Sequence, residues 1–287
     1  AKAKERAGAG AELLFLHKYL ERADRLHKKG KRLALIFGVG AVGRGASDFD
    51  PLTGSRSMGS DSVTTGFRAA INDKDVKAIV FRVDSPGGSY VASDAIWREV
   101  VRAKEAGKPV IVSMGNVAGS GGYFVAMAAD KIVAEPATIT GSIGVLGGKL
   151  VPTGLLDKVG VSVDQVHFGQ NALMFSPTSD YSPAEWARFQ SWLDRVYADF
   201  TTKVAQGRKL PPARVLEIAK GRIWTGEDAK QLGLVDELGG LHTALRLAKE
   251  AAGIAVTEDV ELRQFPPRKG PARELFEKLT GKEPDSS

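Results

Sequence analysis

Residues 77–88 read KAIVFRVDSPGG, and residues 110–122 read VIVSMGNVAGSGG. Each opens on a β-branched apolar run, which predicts a strand, and each then breaks into small residues that force a turn. After the first turn, Ser85-Pro86-Gly87-Gly88, the pattern predicts a helix from Ser89 to Ala106 that stops at Gly107. After the second, the apolar stretch from Ser120 to Ala129 predicts another helix. Strand, turn and helix thus repeat in order.

The same alternation extends in both directions. Upstream lie a helical period over Ala11–Lys29 and a strand at Arg32–Phe37. A long loop from Gly43 to Ser62, rich in Gly, Ser and Asp, is expected to be mobile, and a helix follows at Val63–Ile71. Downstream, a short strand at Lys131–Ala134 leads through Pro136 to Gly141-Ser142-Ile143-Gly144, and Val161–Phe168 reads as a strand. Ser182-Pro183-Ala184-Glu185 is a capping box that opens a long amphipathic helix reaching about Gln206. Thr225-Gly226-Glu227-Asp228 starts another that stops at Gly233, and the tail from Gln264 reads as peripheral. Alternating strands and helices predict an α/β fold with a largely parallel sheet and flanking helices. The expected divisions are an N-terminal helix and linker (1–31), one α/β domain (32–252) and a C-terminal extension (253–287).

Composition narrows the chemistry. The 287 residues contain no cysteine, which excludes disulfides, zinc–thiolate sites and a cysteine nucleophile. The net charge of +6 gathers at the chain ends and lacks the aromatic interleaving of a nucleic-acid platform, so no nucleic-acid partner is expected. No apolar run approaches the roughly 18 residues that span a bilayer.

Gly38-Val39-Gly40-Ala41-Val42-Gly43 matches the dinucleotide fingerprint formally but is followed by a polar loop instead of a helix, so no nucleotide site is expected. The Gly87-Gly88 pair admits two readings. It is either a simple strand-to-helix turn or a place where backbone N–H groups approach a ligand with no Cβ in the way. Ser120 likewise reads either as an N-cap or as a nucleophile at a strand-to-helix junction. A hydrolytic serine needs a base. None of His17, His27, His167 and His242 lies in a recognisable triad setting, which makes a lysine with a lowered pKa worth seeking.

Three ordered segments carry a resemblance. VKAIVFRVDSPGGS, then GKPVIVSMGNVAGSGGYFVAMAADKIVAEPATITGSIGV, then GRIWTGEDAKQLGLVDELGG are similar to the signal peptide peptidase A family, over about Lys31 to Ala251. The resemblance implies a Clp protease/crotonase-like peptidase domain with Ser120 as nucleophile. It also implies oxyanion donors at Gly87 or Gly88 and at Gly121, with no cofactor and no metal. Short members of that family carry serine and lysine in one domain repeated around a ring. Long members are duplicated, with the lysine in the first half and the serine in the second. The family's Gly-x-x-Lys motif falls where this chain has Gly169-Gln170-Asn171-Ala172, so the chain resembles the serine-bearing half of the long form. Lys149 is the one in-chain substitute considered as base.

The resulting expectation is a Ser/Lys peptidase that degrades cleaved signal peptides on the extracytoplasmic face of a membrane. Membrane attachment would come through a segment outside this chain. The assembly would be a homo-oligomeric ring, with Lys31–Val42 and the helix from Ser182 as contact elements. The rival readings are a crotonase-like acyl-CoA enzyme and a non-catalytic half that only completes an oligomer.

Overall fold

A computed structural model of the protein describes residues 30–267; the expected Ala11–Lys29 helix and the last residues of the C-terminal extension lie outside them. The central feature is an eight-stranded sheet. Its continuous path runs β10 (Val260–Phe265), β1 (Lys31–Val39), β4 (Val76–Ser85), β5 (Val110–Gly119), β6 (Lys131–Ala134) and β9 (Glu237–Leu238). All neighbours on that path are parallel. β7 (Ile139–Gly141) continues beside the end of β5, and β8 (Ile223–Thr225) joins β7 antiparallel. β2 (Ala41–Gly43) and β3 (Ser57–Gly59) form a small parallel pair above the sheet. The expected α/β class is what the chain adopts.

Strand periodicity divides the core into two layers, because successive side chains point to opposite faces. Ile36, Phe81, Val112 and Met114 face one way, where α1 (Ser60–Asn72), α2 (Tyr90–Glu105) and α5 (Pro183–Arg208) cover them. Leu33, Leu35, Val80 and Ile111 face the other way, against Ala244 and Ala248 of α8 (Leu241–Ala251). A sheet buried on both faces explains why β1, β4 and β5 read as near-continuous apolar runs.

Both predicted capping boxes form. The Ser182 hydroxyl accepts from Glu185 N while the Glu185 carboxylate accepts from Ser182 N, and Thr225 and Asp228 repeat the exchange at α7 (Gly226–Gln231). Four expectations change. Gly43–Ser62 is a structured connection: β3 pairs with β2, α1 already starts at Ser60, and Ser57 Oγ, Ser47 Oγ and Asp50 Oδ1 accept backbone N–H bonds across the turn. Short polar side chains that bond the backbone can order a loop without a core. Val161–Phe168 forms no strand; Val166 and Phe168 stand fully exposed with no sheet edge beside them. Gln264 and Phe265 are not peripheral, because β10 pairs with β1 from Lys31↔Val260 to Ile36↔Phe265. That pairing leaves β1 hydrogen-bonded on both sides, so it offers no free edge to another subunit. The helix expected at Ser120–Ala129 is a single four-residue turn, as described below.

Phe81 is fully buried at the centre of the sheet and meets the Phe67 ring edge-on, with centroids 5.2 Å apart. Phe81→Ala removes that burial and leaves a cavity that a close-packed core cannot refill. Chemical denaturation should show an unfolding free energy lower by about 3–5 kcal/mol. A loss under about 1 kcal/mol would mean that the layer repacks freely.

Candidate active site

The site forms where β4 and β5 end side by side. At the end of β4 the chain passes through Ser85, Pro86, Gly87 and Gly88 into α2, which Ser89 caps through its hydroxyl. At the end of β5 it turns at Ser120 into a single helical turn, α3 (Gly121–Phe124). These two turns touch backbone to backbone. A Cβ placed on Gly87 would lie 2.6 Å from Gly121 N, and one on Gly121 would lie 3.0 Å from Gly88 N. One on Gly122 would meet Ser85 O at 2.5 Å. Only glycine permits this approach.

The Gly87–Gly88 turn is pinned from the far side by β2. Val42 N donates to Gly87 O at 2.8 Å and Ser89 N donates to Val42 O at 2.9 Å, which leaves the Gly88 N–H pointing away from Val42. The Gly87 N–H is already engaged with Ser85 Oγ at 3.2 Å. Among the described residues neither the Gly88 N–H nor the Gly121 N–H has an acceptor. Gly121 is buried, where a backbone donor is rarely left unpaired, and Gly88 is exposed; both line the cavity beside one hydroxyl.

That hydroxyl belongs to Ser120, whose backbone adopts φ 51° and ψ −118°. Positive φ in a non-glycine residue stores strain, which persists only where surrounding contacts over-determine it. Here Ser120 N donates to Gly141 O and Phe124 N donates to Ser120 O. The Ser120 side chain makes no capping bond. Its Oγ therefore stays unengaged and exposed to the cavity beside it. The predicted ten-residue helix gives way to α3 followed by turns, with Tyr123 O accepting from both Ala126 and Met127. Small apolar residues that are buried all round carry no helical face, so the apolar run alone does not set a length.

The cavity has a volume of about 830 Å³. Gly88, Ser120 and Gly121 lie on one side, and apolar residues including Tyr90, Phe124, Leu193 and Phe200 form much of the wall. Its titratable side chains are Tyr90, Asp194, Tyr197 and Lys220. Burial first, then the Asp199 carboxylate that accepts its hydrogen bond, push the Tyr90 phenol above its ordinary range. No histidine lines the cavity among the described residues; His17 and His27 lie outside them.

Lys149 does not line the cavity either. Its Nζ is buried without a hydrogen-bond partner, 4.3 Å from the centre of the Tyr181 ring. The Ser182 N–H lowers the Glu185 carboxyl from its ordinary value, and the Lys149 charge adds to the effect. Ala172 is exposed. Two residues without a sequence assignment do join the wall: Ser142 at φ 48° and Lys220 at φ 60°. With Ser120 they make three of the four non-glycine residues at positive φ among those described, the fourth being Lys209. Gly141-Ser142-Ile143-Gly144 signals a turn, but sequence carries no sign that it stacks against the Ser120 turn.

The strain at Ser120 is testable without reference to chemistry. Ser120→Gly relieves it and should raise the unfolding free energy by about 1 kcal/mol, whereas Ser120→Ala should leave it nearly unchanged. A thermal melt in which Ser120→Gly is the less stable variant would show that the backbone is not held against its preference.

Comparison with known proteins adds to this geometry. The description "Peptidase family S49" matches residues 102–255. The chain is 37% identical over 232 residues to the chloroplastic serine protease SPPA of Arabidopsis thaliana, covering 80% of this chain and 34% of that protein. It is 43% identical over 223 residues to Protease 4 of Salmonella typhi, covering 78% of this chain and 35% of that protein. A putative protease of Synechocystis is 38% identical over 205 residues, covering 71% of this chain and 73% of its own length. The chain spans about a third of the length of the Arabidopsis and Salmonella proteins. On the family match and the Synechocystis alignment, the chain belongs to peptidase family S49, a family of the Clp protease/crotonase-like fold.

Proposed function

We propose that this chain carries the nucleophile and the oxyanion hole of a serine endopeptidase, and that its general base is a lysine from a segment outside it. The observation that carries the reading is the convergence of an unengaged, strained Ser120 hydroxyl with two unpaired N–H groups, Gly88 and Gly121, on one cavity wall.

The chemistry follows from those parts. Ser120 Oγ attacks the peptide carbonyl carbon as its proton passes to the lysine amine. The carbonyl oxygen becomes an oxyanion held by the Gly88 and Gly121 N–H groups, each donor contributing about 2.7–4 kcal/mol in the transition state. The Gly87 N–H, turned to Ser85 Oγ, frames the hole instead of filling it. The tetrahedral intermediate collapses, the C–N bond breaks, and the leaving amine takes the proton back from the lysine. Water then attacks the acyl-enzyme by the same route, releasing the carboxylate and restoring Ser120.

The substrate reading is an extended peptide with apolar side chains, such as the remnant of a cleaved signal peptide, met at the extracytoplasmic face of a membrane. The apolar cavity wall supports it, as does the family resemblance. Among the described residues no helix is long and apolar enough to cross a membrane, and attachment is assigned to a segment outside this chain. Assembly as a homo-oligomeric ring is supported by the apolar side chains that follow the site. Leu146, Leu150, Val166 and Phe168 are 89–105% exposed, and Trp186 and Trp192 of α5 are also exposed. Large apolar side chains left this open support an interaction face there.

Three measurements test this reading. Ser120→Ala in the complete enzyme should abolish hydrolysis of apolar peptides while the fold persists; retention of more than a few per cent of activity would remove Ser120 from the chemistry. The isolated chain should hydrolyse such peptides about 100- to 10,000-fold more slowly than the chain supplied with the lysine-bearing segment. Equal rates, lost on Lys149→Ala, would move the base to Lys149. Finally, Val166→Asp/Phe168→Asp touches fully exposed positions, so it should lower the oligomer mass seen by light scattering without lowering the melting temperature. An unchanged mass would place the interface elsewhere.

A further inference from the structure

Behind the cavity wall lies a half-buried charge cluster that the proposed chemistry does not use. Lys203 of α5 is 14% exposed, and its Nζ donates to Asp94 Oδ1 at 2.6 Å and to Asp199 Oδ2 at 2.7 Å. The same Asp199 oxygen accepts the Tyr90 hydroxyl at 2.7 Å. The Lys203 ammonium also lies 4.4 Å from the Trp97 ring centre and 5.3 Å from that of Phe124. Arg98 completes the surroundings from outside, 3.6 Å from Asp94.

A partly buried ion pair is weak evidence of a stabilising role, since desolvation offsets much of its attraction. Its connections here are more informative. Tyr90, Phe124 and Phe200 line the cavity, and they come from three separate segments. Tyr90 is two residues past Gly88, and Phe124 closes the helical turn that Ser120 opens, with its N–H on Ser120 O. The three rings are packed together, Tyr90 edge-on to Phe124 at 5.6 Å and Phe124 against Phe200 at 4.8 Å. One cation therefore binds, directly or through Asp199, the side chains that shape the wall on both sides of the nucleophile.

We infer that Lys203 is a positioning residue: through Asp199 and the face of Phe124 it fixes the aromatic wall in the shape that accepts a bulky apolar side chain beside Ser120. Without the ammonium, Asp199 loses its cation and Asp94 keeps only the exposed Arg98, the Tyr90 hydroxyl loses its anchored acceptor, and Phe124 loses the charge over its ring. The wall then spreads, and the cost falls on substrates whose side chain must touch it. This rests on the peptidase reading for its substrate, but the pocket shape can be read without any hydrolysis.

The test uses the complete enzyme carrying Ser120→Ala and two fluorescein-labelled Ala/Ser nonapeptides that differ only in a central Leu or Ala. Anisotropy should show the Leu peptide bound about tenfold or more tightly than the Ala peptide. Lys203→Met should shrink that preference to within about threefold, and Lys203→Arg, which keeps the charge, should recover most of it. With Ser120 present, the same loss should appear as a raised KM for the Leu peptide and not as a lowered kcat. If Lys203→Met does not fold, Tyr90→Phe decides, because it keeps the ring and removes only the bond to Asp199; it too should reduce the Leu preference. A preference that survives both folded variants, or a uniform loss of kcat on both peptides, overturns the inference. A Lys203-dependent preference in an enzyme that hydrolyses neither peptide would sustain it while refuting the peptidase reading.

Discussion

The site depends on one steric fact: two chain turns at the ends of adjacent strands lie in direct backbone contact. A Cβ on Gly87 would collide with Gly121 N, one on Gly121 with the buried Ser93 hydroxyl, and one on Gly88 with the Val42 backbone that fastens the turn. Everything around the contact works to hold it. Val42 fastens the first turn with two hydrogen bonds. Asp84 accepts from Val117 N where the β4–β5 register shifts, which ties the strand ends together just before they diverge. Gly141 O and the first turn of α3 hold Ser120 at positive φ. The outcome is two N–H groups and one hydroxyl that point into a shared space with no partner of their own. Donors fixed in advance are effective in catalysis because no reorganisation is needed when charge develops.

The rest of the fold supplies that contact with rigidity and surroundings. Parallel strands buried on both faces bring the ends of β4 and β5 to the same edge, and the commonest place for a site in such a sheet is at the carboxyl ends of its strands. Helix α5 crosses behind, with Phe200 in the cavity wall and Lys203 one turn on, in the charge cluster. The Ser120 turn and the apolar wall thus share a single mechanical frame. Among the described residues the one cavity-lining ammonium, Lys220, is exposed, and Lys149 Nζ lies over the Tyr181 ring and not in the cavity lining. The exposed Leu146 also lines the cavity, so a neighbouring subunit docked on it would stand next to the site.

Much of this was legible in sequence because it is written in local chemistry. β-branched runs mark β4 and β5, and the paired residues Ser182/Glu185 and Thr225/Asp228 announce two helix starts that form with the expected bonds. Ser120 and the glycines stand out because turns demand small residues. Other features were not legible because they are set by distant contacts. The brevity of α3 follows from its burial on every side, and β10 looks like a tail until β1 offers it an edge. Val161–Phe168 has strand-like residues without a strand to pair with. Neither Ser142 nor Lys203 carries a sequence sign of its place, since each is brought to the site by an element more than 20 residues from Ser120.

The central claim is that Gly88 and Gly121 hold the oxygen of a carbonyl attacked by Ser120. The most direct measurement is a crystal structure of the complete enzyme with a peptide aldehyde bound. The account predicts a covalent bond from Ser120 Oγ to the former carbonyl carbon, with the hemiacetal oxygen about 2.7–3.1 Å from both Gly88 N and Gly121 N. An adduct on another residue, or an oxygen turned to solvent with those two N–H groups still unpaired, would contradict it.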